Sequence, residues 1–127
     1  RSEGDTNVML KDKVKYALSN NLKVVFCIGE NRVHKKNKRT LSVLQTQLTK
    51  VLENKFNRNN IIVAYEPIWS IGTGKIPTTN ELTKTITHIK KVLKIIFKKK
   101  VQQCFMEVPL TVTILRCSKK LQKLMVF

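Results

Sequence analysis

An α/β fold built on a parallel sheet is what these 127 residues predict. Three observations carry that prediction. Apolar stripes at helical spacing alternate with two short continuous apolar runs, in the order helix, strand, helix, strand, helix, and the connections between them are short. Both runs are rich in β-branched residues, which suits strands of a parallel sheet covered on both faces. The second run ends in a carboxylate, Glu66, placed where the strand emerges.

Residues 5 to 19 put Leu10, Val14, Ala17 and Leu18 at helical spacing, with Asp5 or Thr6 available to cap the start. Asn20 and Asn21 suit the exit turn. Lys23 to Ile28 (KVVFCI) then form the first strand, closed by Gly29. Asn31 to Arg39 read as a basic polar loop in which His34 is solvent-exposed. From Thr40 the pattern turns helical again, with Leu41, Leu44, Leu48, Val51, Leu52 and Phe56 on one stripe, ended by Asn57 to Asn60. Ile61 to Ala64 read as a short, fully buried strand. Past Lys75, Pro77-Thr78-Thr79-Asn80-Glu81 has the form of a capping box, Thr78 accepting from the Glu81 N–H while Glu81 reaches back. Leu82, Ile86, Ile89, Leu93 and Ile96 give the last apolar stripe, and His88 in this helix takes a surface or boundary position.

A composition of 42% hydrophobic and 26% charged residues is ordinary for one globular domain. The net charge of +17 raises the possibility of a nucleic-acid partner. Its distribution argues against one. Lysines are scattered along helical outer faces and in two runs, around Lys35 to Arg39 and Lys98 to Lys100, without aromatic interleaving or a DNA-binding motif. Lys, Asn and Ile are what A/T-rich codons encode, and that bias accounts for the charge more simply. Cys27, Cys104 and Cys117 show no CxxC spacing and no His partners at metal-ligand distance, so no metal and no structural disulfide is expected. With no signal peptide and no run long enough to span a membrane, the expectation is a soluble cytoplasmic protein.

The most specified stretch is Ala64-Tyr65-Glu66-Pro67-Ile68-Trp69-Ser70-Ile71-Gly72-Thr73-Gly74-Lys75. Pro67 fixes its own φ and pushes Glu66 toward extended geometry, so the carboxylate is held by a stiff backbone. Gly72 and Gly74 permit positive φ and close approach of backbone N–H groups to a ligand, which suits a mobile cover over an anionic substrate. Glu-Pro alone, or Gly-x-Gly alone, would read as a strand-end acid followed by an ordinary turn.

The whole string AYEPIWSIGTGK resembles the signature of the triosephosphate isomerase family, and the CIGE string at Cys27 to Glu30 resembles that family's preceding strand end. The resemblance implies a partial (β/α)8 TIM barrel, about half of it present, since such barrels typically need about 250 residues. A start at Arg1 rather than Met reads the same way, as a fragment. It further implies that Glu66 is the catalytic base, that Pro67, Ile68, Trp69, Ser70, Ile71, Gly72, Thr73, Gly74 and Lys75 form the active-site lid, and that Gly72 offers a backbone N–H to the substrate phosphate. Glu30 would hydrogen-bond the Trp69 indole; from the residues alone it reads as a solvated strand-end acid. Cys27 reads as a small buried hydrophobe rather than a nucleophile.

The implied reaction interconverts dihydroxyacetone phosphate and D-glyceraldehyde 3-phosphate, in glycolysis and gluconeogenesis, without a cofactor. The family is homodimeric, but its main dimer loop, its substrate-binding Asn and Lys and its electrophilic His all precede Arg1. Two strands cannot close a barrel, so the isolated chain is expected to be inactive and aggregation-prone. Two other readings stay open: a non-catalytic remnant or a half-barrel that complements a separate N-terminal half, and, more weakly, a basic nucleic-acid binder.

Two segments follow: residues 1–97 as the central part of a barrel, and 98–127 as a basic tail without defined fold. Past Lys100 the family's Tyr-Gly-Gly-Ser-Val phosphate loop is replaced by VQQCFMEVPLTVTILRCSKKLQKLMVF. Reading across codon boundaries, Phe105 to Leu110 can spell Tyr-Gly-Gly-Ser-Val, and Lys123 to Phe127 can spell Val-Asp-Gly-Phe. Glycines are obligatory at Met106–Glu107 and Met125–Val126, nineteen codons apart, as in the family. A frameshift near Lys98 to Lys100 explains this; the alternative is a divergent C-terminus whose shifted frame permits the motifs by degeneracy.

Overall fold

Two parallel strands, β1 (Lys23–Ile28) and β2 (Ile61–Tyr65), organise the structure, a computed structural model that describes residues 6–98 and the backbone of 106–107 and 124–126. They pair in register from Val24 opposite Ile61 to Ile28 opposite Tyr65. Two short parallel strands flank them in backbone: β3 (Met106–Glu107) beside β2 and β4 (Leu124–Val126) beside β1, giving the order β3-β2-β1-β4 in an open sheet. The rest of the tail, with Cys104, Cys117 and nearly all of the proposed out-of-frame peptide, lies outside the described residues.

Helix α1 (Asn7–Ser19) starts at Thr6, whose hydroxyl accepts the Met9 N–H at 3.2 Å, and exits through Asn21 in the left-handed region at φ 56°. A five-residue helix, α2 (Arg32–Lys36), stands where the sequence reads as loop. Its capping box explains the difference: Asn31 accepts from the His34 N–H while His34 Nδ1 accepts the Asn31 N–H, so His34 is partly buried rather than free in solvent.

Helix α3 (Thr40–Val51) is shorter than its apolar stripe. Leu52 is already extended, at ψ 140°, yet Leu52 and Phe56 stay buried by folding back onto the core from outside the helix. Helix α4 (Thr79–Phe97) opens on the Thr78–Glu81 capping box. Its buried line is Thr85, Ile89, Val92, Leu93 and Phe97, with Leu82, Ile86 and Ile96 at the margin.

Helices α1, α3 and α4 cover one face of the sheet. Val24, Phe26 and Ile28 from β1 and Ile61, Val63 and Tyr65 from β2 point into a single core with Leu10, Val14, Leu44, Leu48, Ile89 and Leu93. Each such fully buried side chain contributes about 1.5–3 kcal/mol. In β2 burial alternates: Ile62 and Ala64 are only partly covered, where the apolar run predicts a strand buried on both faces. The physical reason is that the described helices all lie on the Val63 side, leaving Ile62, Ala64 and Cys27 on the other.

Candidate active site

The C-terminal ends of β1 and β2 are joined main chain to main chain. The Glu66 N–H donates to the Ile28 carbonyl at 2.8 Å, and the Ile68 N–H to the Glu30 carbonyl at 3.0 Å, which carries the parallel ladder past the strands into the loops. The two chains pass so closely at Gly29 that an added Cβ would lie 1.8 Å from the Glu66 carbonyl oxygen. Glycine is therefore required there by space, not by its own φ. Gln47 of α3 holds the same point from the helical side, its Oε1 accepting the Gly29 N–H at 3.0 Å and its Nε2 donating to the Gly29 carbonyl at 2.9 Å.

Glu66 follows Tyr65 and so falls on the face away from the helices, beside Ala64 and Cys27. Cys27 is half-buried there. Burial pushes its thiol pKa up, and the negative charge of Glu66 acts in the same direction, so the thiol stays protonated and is a poor nucleophile.

Glu30 lies on the helical side and is almost fully buried, at 1% exposure. Its Oε1 accepts from the Trp69 indole N–H at 2.8 Å, from the Tyr65 hydroxyl at 3.1 Å and from the Thr40 hydroxyl at 3.4 Å. Burial, then the neighbouring Glu30 charge, raises the Tyr65 pKa and keeps its phenol protonated as a donor. These groups border an open cleft of about 300 Å³ that Lys35, Thr85 and the start of α4 also line.

The loop from Pro67 to Lys75 has two unlike halves. Pro67 and Ser70 are buried, Ile68–Ser70 form a 3-10 turn, and Trp69 is tucked against Glu30. Residues Ile71 to Ile76 are all exposed. Gly72 and Gly74 both take positive φ, 70° and 69°, and a Cβ at either would meet nothing within 4 Å, so only conformation calls for glycine there. Thr73 spans the tip, its hydroxyl donating to the carbonyls of Trp69 and Ser70 and accepting the Lys75 N–H; the Ser70 hydroxyl donates to the Lys75 carbonyl.

Sequence reasoning passed over four contributors here. Gly29 and Gln47 set the strand-end spacing, Tyr65 supplies a donor to Glu30, and Lys35 stacks on Trp69. Only Gly29 carried a local signal, a glycine closing an apolar run directly before an acid. Among the described residues no group of three or more His, Cys, Asp or Glu could hold a metal ion, and no helix is long and apolar enough to cross a membrane.

A parallel sheet with helices on one side, an acid at the C-terminal end of a strand and a glycine-bearing loop directly after it define a piece of a β/α barrel of the enzyme type. A family model for triosephosphate isomerase matches residues 1–107, and the chain belongs to that family. The match takes in Met106 and Glu107, which pair with Ala64 and Tyr65 as β3. The chain is 42% identical over 97 residues to the triosephosphate isomerase of Psychrobacter cryohalolentis, covering 70% of this chain and 36% of that protein. It is 42% identical over 90 residues to that of Dehalococcoides mccartyi, covering 71% and 35%, and 38% identical over 90 residues to the cytosolic enzyme of Oryza sativa, covering 71% and 36%. The chain thus spans little more than a third of the length of the curated relatives it matches.

Proposed function

We propose that this chain carries the base and lid of a triose-phosphate isomerase, acting on dihydroxyacetone phosphate and D-glyceraldehyde 3-phosphate in the cytoplasm. The observation that carries the reading is the position of Glu66: at the C-terminal end of β2, stiffened by Pro67, bonded to β1 through its own N–H, and followed at once by the Pro67–Lys75 loop.

Glu66 removes a proton from the carbon next to the substrate carbonyl and returns it to the adjacent carbon, leaving the carboxylate as it began. Closure of Pro67–Lys75 excludes water from that exchange, and the Gly72 N–H faces the substrate phosphate when the lid is shut. No cofactor enters the scheme. The groups that polarise the carbonyl and bind the far side of the phosphate come from outside this segment, as does the main contact of the family homodimer. The 127-residue chain by itself is therefore inactive, and its partly covered sheet face favours aggregation. The tail past Lys100 is read as an out-of-frame peptide.

A coupled isomerase assay tests the reading. The purified chain should show no turnover, and grafting residues 1–97 into a full-length family member in place of the matching segment should restore turnover that Glu66→Gln abolishes. Family-level turnover by the chain alone, or restored activity indifferent to Glu66→Gln, would overturn it. Sequencing the gene tests the tail: a neighbouring frame without Tyr-Gly-Gly codons sinks the frameshift.

A further inference from the structure

Trp69 is held from two sides. At its edge, Glu30 accepts its indole N–H at 2.8 Å. Above it, the Lys35 ammonium lies 3.8 Å from the ring centroid. Lys35 in turn is paired with Glu81 at 3.1 Å, and Glu81 is fixed at the start of α4, where it accepts the Thr78 N–H at 2.9 Å. A chain of alternating charge, Glu81, Lys35, indole, Glu30, therefore runs from α4 through the loop into the strand end.

We propose that Lys35 is a positioning residue that latches Trp69, and with it the Pro67–Lys75 segment, in the conformation seen here, and so sets how readily that segment moves over Glu66; the role in moving over Glu66 rests on the lid reading above. The physical basis is mutual reinforcement. A cation over the ring face is attracted by the π quadrupole and draws electron density toward itself, which makes the indole N–H a stronger donor to the carboxylate at its edge. Among the described residues Glu30 has only its Oε1 engaged, its Oε2 being buried without a hydrogen-bond partner, so the N–H contact depends on that one oxygen. Pulling Trp69 out breaks the stacking and the hydrogen bond together, which makes the segment switch between two arrangements rather than drift. The exposed tip, Ile71 to Ile76, is tied by Thr73 and the Ser70 hydroxyl to the loop's own backbone, so the latch acts on it through Trp69.

Trp69 is the only tryptophan in the sequence, which makes its fluorescence a direct readout. The test is acrylamide quenching of the full 127-residue chain and its variants, with far-ultraviolet circular dichroism to establish that each is folded. Lys35→Met keeps the apolar stem and removes the charge, and should raise the quenching constant and red-shift emission, with the released population growing about two- to fivefold. Lys35→Arg keeps a cation that stacks well and should restore wild-type quenching. Molar salt should raise quenching in the wild type and leave Lys35→Met unchanged. A folded Lys35→Met chain that quenches like the wild type, or a Lys35→Arg chain that quenches like Lys35→Met, overturns the proposal. No substrate is present in these measurements. The lid reading is judged separately, by whether Trp69→Phe lowers turnover in the full-length graft, so either can fail alone.

Discussion

Trp69 and Glu30, thirty-nine residues apart, meet in a 2.8 Å hydrogen bond whose acceptor oxygen also takes the hydroxyls of Tyr65 and Thr40. One buried carboxylate oxygen thus gathers donors from β2, from the loop after it and from the start of α3. Glu30→Ala would take from the Tyr65 hydroxyl its carboxylate acceptor in the core, leaving Thr85 beside it, and would release Trp69. The expected loss is about 1–3 kcal/mol, the cost of a buried polar group left without its partner. Glu30→Gln, which keeps an acceptor of the same shape, should lose less. Urea unfolding midpoints for the two variants check both the size and the order.

Gly29 admits no side chain. With the Glu66 carbonyl 1.8 Å from where a Cβ would stand, Gly29→Ala must push the two strand ends apart. Overpacking of this kind costs about 1–3 kcal/mol, and here the displaced atoms are main chain that cannot rotate away. A lower melting temperature together with a shifted Glu66 amide resonance is the expected result; a melting temperature equal to the wild type's would contradict it.

Gln47 is the other half of that arrangement. Gln47→Leu removes both bonds to Gly29 and leaves a part-buried N–H and carbonyl unmade, at about 1–3 kcal/mol. Hydrogen exchange at the Gly29 amide is the sharper measurement. Its rate should rise by about tenfold if opening becomes easier by about 1.4 kcal/mol.

Acid should weaken the molecule in a defined window. Hydrogen bonds from Lys11 and Lys55 hold the Glu53 carboxyl at about 2, and the Thr78 N–H, then Lys35, hold Glu81 below its ordinary value. Both carboxyls have lower pKa values folded than unfolded. Their contribution is therefore complete above the ordinary value of 4.5 and is lost as pH falls from there toward 2. Glu81 is half exposed and the Glu53 side chain 27% exposed, so solvent screening keeps the effect modest. Urea midpoints between pH 5 and 2 should fall, and should fall less steeply in Glu53→Gln.

Helices α1, α3 and α4, the two central strands and the class of fold were legible because each is written in local spacing, whereas α2 lies in a basic polar run without an apolar stripe. Leu10, Val14 and Ala17 mark α1, KVVFCI marks β1, and Thr78 with Glu81 marks the start of α4. The end of α3 was not, because Leu52 and Phe56 continue the apolar stripe after the backbone has turned extended. Burial in β2 was misread for a related reason: an apolar run says that a strand can be covered on both faces, not that the covering elements are at hand. The contacts that organise the site join distant positions. Nothing near Lys35 distinguishes it from the lysines around it, and nothing near Gln47 announces Gly29; both acquire their partners only when α2 and α3 pack against the strand ends.

The crossing at Gly29 separates what can vary here from what cannot. Glu66 is stationed by peptide groups touching peptide groups, an arrangement indifferent to which side chains decorate the outside of the helices. A genome drifting toward lysine can repaint that outer coat as heavily as this one, to a net charge of +17, while the carboxylate keeps its address.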